Sequence, residues 1–136
     1  MNPIGHHAAL IYVMVVVSAS DGNMSERELR AIGGIIKTLP VFRDFDEHRL
    51  LAASQECAAI LEEDEGLDAV LGLVRNTLPE HLRETAYWLA LEVALTDSRV
   101  MLEEIRILER IRHALGIERL VSAALERAAR ARYQIA

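Results

Sequence analysis

A polar stretch with acidic residues at positions 20–29 joins two apolar segments and recurs in altered form at positions 96–105, an offset of 76 residues. Matching positions continue on both sides, and the two copies span about residues 8–45 and 84–121. The matched pairs are Val13 and Leu89, Val17 and Val93, Asp21 and Asp97, Met24 and Val100, Glu28 and Glu104, Leu29 and Ile105, Ile32 and Leu108, Ile35 and Ile111, and Leu39 and Leu115. The repeat predicts one fold built from two similar halves.

The repeat also decides the secondary structure of the first apolar segment. Residues 10–17 are rich in β-branched side chains, and by propensity alone they fit a buried strand. Their counterpart, residues 82–95, has the composition of a helix. We therefore predict that the first segment is a helix buried nearly all round. Along the whole chain, periodicity predicts an all-α single-domain bundle of about seven helices over residues 1–136, with an internal repeat.

Several helix ends have clear signals. Ser25 and Glu28 form the capping-box pattern Ser-x-x-Glu at the start of a second helix. Asp44 or Asp46 is expected to cap a third helix, and Gly116 supplies a left-handed stop for the sixth. In the seventh helix, about residues 117–133, the predicted inward residues are Leu120, Val121, Ala124, Leu125 and Ala128, with Arg119, Arg127, Arg130 and Arg132 outward.

Charge and composition exclude several classes of protein. The net charge of −6 argues against a nucleic-acid binder. The longest apolar run, about ten residues, is half of what a membrane span needs, and it lacks the basic flank and the small-residue cleavage site of a secretory signal. With a single cysteine, Cys57, no internal disulfide can form, which favours a cytoplasmic location.

The charge is unevenly distributed along the chain. Residues 1–105 carry 18 acidic and 8 basic side chains, whereas residues 106–136 carry 7 arginines and 3 glutamates. A basic face that closes on an acidic body explains this distribution, and so does a surface for an acidic partner.

No catalytic constellation is present, so the chain is predicted not to be an enzyme. Cys57 shares an apolar helical stripe and is expected to be a core residue. His6 and His7 are adjacent near the chain start, which predicts disorder or surface exposure rather than metal ligation. Tyr12 and Trp88 occupy equivalent places in the two copies and are predicted to be core.

The acidic turns between helices are the best candidate site. Asp21 and Asp97 each follow the end of a helix, where a carboxylate meets the negative end of the dipole at a cost of about 0.3–1 kcal/mol. Either an Asx turn or a bound cation would compensate. Glu28 and Glu104 lie seven positions further on, so each turn could fold two carboxylates toward one cation. The spacing differs from that of an EF-hand loop.

The first turn and its flanks, residues 17–28, resemble the tellurite-resistance TerB-like family, whose pattern is Ala-Asp-Gly, a hydrophobic residue two positions on, then Glu. The second copy resembles it less closely, since Ser98, Arg99 and Met101 depart from the first. The resemblance implies an all-helical fold with an internal pseudo-two-fold repeat. It also implies a divalent metal such as Ca²⁺, Mn²⁺, Mg²⁺ or Zn²⁺, and a part in resistance to tellurite and other stresses. The implied ligands are Asp21, Glu28, Asp97 and Glu104.

Two functions stay open at this point. The first is a cation-binding TerB-like module with protein partners, some of them membrane-associated. The second is a metal-independent helical interaction or scaffold domain of the same fold. A homodimer is compatible with both functions.

Overall fold

The structure, a computed structural model, describes residues 4–19, 24–96 and 102–136. These residues form seven α-helices and three short 3₁₀ turns, and they contain no strand. The α-helices are α1 (His6–Ser18), α2 (Glu26–Thr38), α3 (Leu50–Leu61), α4 (Gly66–Thr77), α5 (Arg83–Leu95), α6 (Leu102–Leu115) and α7 (Arg119–Arg132). The 3₁₀ turns are Pro40–Phe42, Glu47–Arg49 and Glu80–Leu82. The predicted all-α bundle is confirmed.

α1 is the centre of the bundle. Every residue from Ala9 to Ser18 is buried, and the helix packs against α3, α4 and α5. A helix that is apolar on all faces is stable only where neighbours cover all of them. The β-branched run therefore forms a buried helix, as the repeat predicted.

α1 and α5 start at the same end of the bundle. Nε2 of His7, in the first turn of α1, lies 2.8 Å from the carbonyl oxygen of Val41. Val41 also lines a surface groove together with Glu84 and Thr85 from the first turn of α5. Since both starts lie beside the same residue, the two helices have their N-termini close together.

Their C-terminal ends lie beside the first half of α6. Val16 near the end of α1 shares a groove with Ile107 of α6, and Leu95 at the end of α5 shares another groove with Leu108. α1 and α5 therefore run in the same direction. The C-terminal ends of α1 and α5 therefore lie at the same end of the bundle.

Helix limits agree with the predicted offset. Shifting α1 and α2 by 76 residues gives 82–94 and 102–114, within one residue of the bounds of α5 and α6. The pseudo-two-fold relation of the two halves stays a prediction. The capping box is confirmed, since Glu28 N donates to Ser25 Oγ at 3.1 Å and Ser25 N donates to Glu28 Oε1 at 3.0 Å. Gly116 has a φ of 66°, as a left-handed stop requires.

The start of α3 differs from the prediction. The Asp46 carboxylate accepts from His48 N at 3.0 Å and caps the 3₁₀ turn Glu47–Arg49. α3 begins one turn later, at Leu50, with no side-chain cap of its own. A tight turn thus satisfies the first backbone donors before the α-helix begins.

α7 lies at the edge of the bundle and packs chiefly on α5. Its predicted inward face is wrong in part, because Leu120 is 76% exposed, and Ala124 and Ala128 are also exposed. The buried residues of α7 are Ser122 and Ala129. Polar contacts between α7 and α5, described below, determine the rotation of α7 about its own axis and therefore which of its residues are buried.

The single cysteine is a core residue, as predicted. Cys57 is fully buried, with its Sγ 3.8 Å from the carbonyl oxygen of Tyr12. Burial raises the pKa of its thiol to about 12. None of the helices in the described ranges is long and apolar enough to cross a membrane.

Candidate functional site

The first acidic turn leads into the capping box of α2. Glu28 lies in the first turn of α2 and uses one carboxylate oxygen to accept from the backbone of Ser25. Asp21 lies outside the described residues. The predicted ligand Glu28 therefore has a structural role, which engages one of its two oxygens.

The second acidic turn leads into α6. Glu104 is half-buried in the first turn of that helix, where it takes part in a polar or electrostatic interaction. Asp97 lies outside the described residues. Among the residues that are described, no three or more His, Cys, Asp or Glu side chains form a group that could hold a metal. The site of Asp21, Glu28, Asp97 and Glu104 stays a prediction.

A buried hydroxyl lies at the entrance to the first turn. Ser18, the last residue of α1, is 3% exposed, and its Oγ has no hydrogen-bond partner within the described part of the chain. Ser54, by contrast, donates to the carbonyl oxygen of Leu50 at 2.9 Å. A buried hydroxyl without a partner costs about 1–3 kcal/mol. A hydroxyl oxygen is a type of donor that hard cations accept.

Family comparison bears on this arrangement of helices and acidic turns. The family model described as tellurite resistance protein TerB matches residues 7–128. The chain belongs to the TerB family. The matched range contains both acidic turns and extends from α1 into α7, so the TerB resemblance seen at residues 17–28 holds over nearly the whole chain. No curated protein and no solved structure matches it.

His7 corrects one prediction made for this TerB-family chain. Its side chain is only 16% exposed, stacks on Phe42 at 5.6 Å between centroids and meets Phe45 edge-on at 5.2 Å. Nε2 is also 3.4 Å from Asp44 Oδ1. The expected disorder or exposure is wrong for His7, because the loop after α2 covers it, whereas His6 is exposed.

The sequence reasoning missed a buried carboxylate, Glu92. It lies on α5 and is 5% exposed. Its Oε1 accepts from Arg132 Nε at 2.6 Å and from the Tyr133 hydroxyl at 3.3 Å. The repeat contained a signal, since the offset of 76 residues aligns Glu92 with Val16. A carboxylate where the other copy is apolar indicates a polar partner.

A second polar link joins α5 to α7. The Tyr87 hydroxyl donates to Glu126 Oε2 at 2.7 Å. Burial, followed by this hydrogen bond, raises the pKa of Tyr87. With the Glu92 contacts, this link sets the direction of α7, which is parallel to α5. It also determines which face of α7 is buried.

Proposed function

We propose that the chain is a non-enzymatic TerB module of the cytoplasm that binds a divalent cation at its acidic turns, as part of resistance to tellurite and other stresses. Asp21, Glu28, Asp97 and Glu104 are the proposed ligands. The observation that supports this most is the common direction of α1 and α5, because the chain leaves both helices toward the turns at one end of the bundle. The tellurite link comes from the family description.

The chemistry of the donors narrows the choice of cation. Four carboxylates and the hydroxyl of Ser18 are oxygen donors, which Ca²⁺, Mg²⁺ and Mn²⁺ prefer. Zn²⁺, the fourth candidate, more often takes nitrogen or sulfur ligands. Bound at this end of the bundle, a cation would offset the repulsion between carboxylates and helix C-termini.

Four buried side chains among the described residues are poorly suited to catalysis. Burial raises the pKa values of Tyr12, Cys57, Tyr87 and Tyr133. These groups are therefore protonated at neutral pH, which makes them poor nucleophiles and poor general bases. An enzyme would need groups shifted toward neutrality in a cleft.

Thermal melts with added Ca²⁺, Mg²⁺, Mn²⁺ or Zn²⁺ test the proposal. A cation present at a hundred times its dissociation constant should stabilise the fold by about 2.7 kcal/mol. Asp21→Asn should remove most of this gain. Glu28→Gln should also reduce it, and glutamine retains the capping box, so lost cation response cannot be attributed to a lost cap.

Asp64→Asn is the matched control, because Asp64 is an exposed carboxylate in the turn between α3 and α4. It should leave the cation response unchanged. The proposal fails if none of the four cations raises the melting temperature, or if Asp21→Asn responds as fully as Asp64→Asn.

A metal-independent interaction domain is the second candidate function. It is favoured by an open groove between α6 and α7, which has an apolar floor and several arginines. The groove requires no cation, so the two functions could coexist in one chain.

A further inference from the structure

An open groove of about 590 Å³ runs between α6 and α7, with α5 as its floor. Leu91 and Leu95 of α5 form part of the floor, while Leu108 and Ile105 of α6 form one wall. Ile105 is 44% exposed, a large apolar side chain that the described residues leave uncovered. Ala123 lines the opposite wall, on α7.

Arginines stand on both walls of this groove. Arg112 lies on α6, and Arg119 and Arg130 lie on α7. Within the described residues these three guanidinium groups form no ion pair, whereas Arg110 and Arg132 do. Two acids, Glu109 and Glu126, also line the groove, and Glu126 accepts from Tyr87. The lining carries one net positive charge on a chain whose net charge is −6.

We propose that this groove binds an acidic amphipathic helix of a partner protein. Two walls over a third helix are the shape into which an additional helix packs with its apolar face down. The floor from Tyr87 to Leu95 spans about 12 Å, or two helical turns. Three apolar side chains at i, i+3 or i+4, and i+7 would cover it. Acidic residues on either side would meet Arg112, Arg119 and Arg130.

The charge of the groove disfavours α7 of a second copy as the occupant. α7 carries arginines, so it would meet like charge in the groove. A partner helix rich in glutamate would complement it, which makes use of the arginine excess in residues 106–136.

Fluorescence anisotropy with a synthetic peptide tests the inference. The probe is a labelled 14-residue helix with leucines at the i, i+3, i+4 and i+7 positions and glutamates on its flanks. We expect a dissociation constant of about 10–100 μM, weakening as salt rises. Two control peptides are used. The first has the same composition in scrambled order, and the second has lysine in place of each glutamate.

Variants of one helix separate groove binding from general attraction. Arg119→Glu and Arg130→Glu should each weaken binding about tenfold. Arg127→Glu makes the same charge change on an exposed part of α7 that does not line the groove, so it should change affinity less than about twofold. Ala123→Glu should also weaken binding, and a melt of each variant establishes that it is folded.

Four outcomes would overturn the inference. Three concern the peptides and variants: no binding by about 1 mM peptide, equal binding of the scrambled peptide, or equal weakening by Arg127→Glu and Arg119→Glu. The fourth is that decanoate, a fatty-acid anion, binds in the groove while the peptide does not. Asp21→Asn should leave peptide affinity unchanged. Failure of the cation site and failure of the groove are thus distinguishable.

Discussion

α1 and α7 are both helices of similar length, yet they are held in opposite ways. α1 is buried from Ala9 to Ser18 and packs chiefly on α3, α4 and α5. α7 packs chiefly on α5, buries only Ser122 and Ala129 completely, and is attached through Glu92 and Glu126. Apolar contact holds the first helix, and polar contact orients the second.

The difference between α1 and α7 shows under which conditions an apolar stripe in the sequence correctly predicts the buried face of a helix. In α1 every rotation buries apolar side chains, so no competing contact can change the outcome. In α7 two of the five residues predicted to face inward, Ala124 and Ala128, are alanines, and an alanine methyl contributes only about 0.8 kcal/mol when buried. A hydrogen bond to a charged group contributes about 1.5–3 kcal/mol. The two polar links therefore outweigh the alanines, and Leu120 faces solvent.

The largest expected effect on stability comes from truncating a leucine in α1, and the same truncation in α7 is its matched comparison. Leu10→Ala in α1 removes a fully buried side chain and should lower the free energy of unfolding by about 2–5 kcal/mol. Leu120→Ala makes the same change at a 76% exposed position and should stay within about 0.5 kcal/mol of the parent. Urea unfolding measures both. Similar losses for the two variants would mean that α7 buries Leu120 against a partner.

Much of the fold could be predicted because its signals are local. The capping box of Ser25 and Glu28 and the left-handed Gly116 depend on residues a few positions apart. The helical state of α1 required the repeat, since its own residues also fit a strand. The predicted core place of Trp88 is only partly right, because Trp88 is half-buried beside Val41 and Leu125.

The missed features depend on contacts between distant segments. His7 is covered by residues 34 or more positions away, and Glu92 meets Arg132 from 40 positions away. Spacing along one helix cannot predict such pairs. The candidate site stays a prediction for the same reason. Its four carboxylates belong to two segments that are far apart in the sequence, and their distance from each other depends on how α1 and α5 pack.

Cys57, which packs against α1, makes the stability of the core depend on pH in alkaline solution. Burial raises its pKa from 9.0 to about 12, so the folded state retains a proton that the unfolded state loses. The stability from this group is complete below pH 9 and is lost as the pH rises toward 12. The parent should lose about 1.4 kcal/mol more per pH unit in this window than Cys57→Ala. Parallel stability curves in urea from pH 9 to 11 would contradict the burial of the thiol.

The smallest expected effect is a local one in α7. Glu92→Gln keeps the shape of the side chain but removes the charge that Arg132 and Tyr133 contact. Amide hydrogens of α7 should then exchange about tenfold faster. In the parent they should already exchange faster than those of α1, because α7 can open locally whereas α1 exchanges only through global unfolding. Glu63→Gln, in the exposed turn after α3, is the control. If the amides of α1 and α7 have the same free energy of opening in the parent, the two helices unfold as one unit, and polar links do not hold α7 separately from the core.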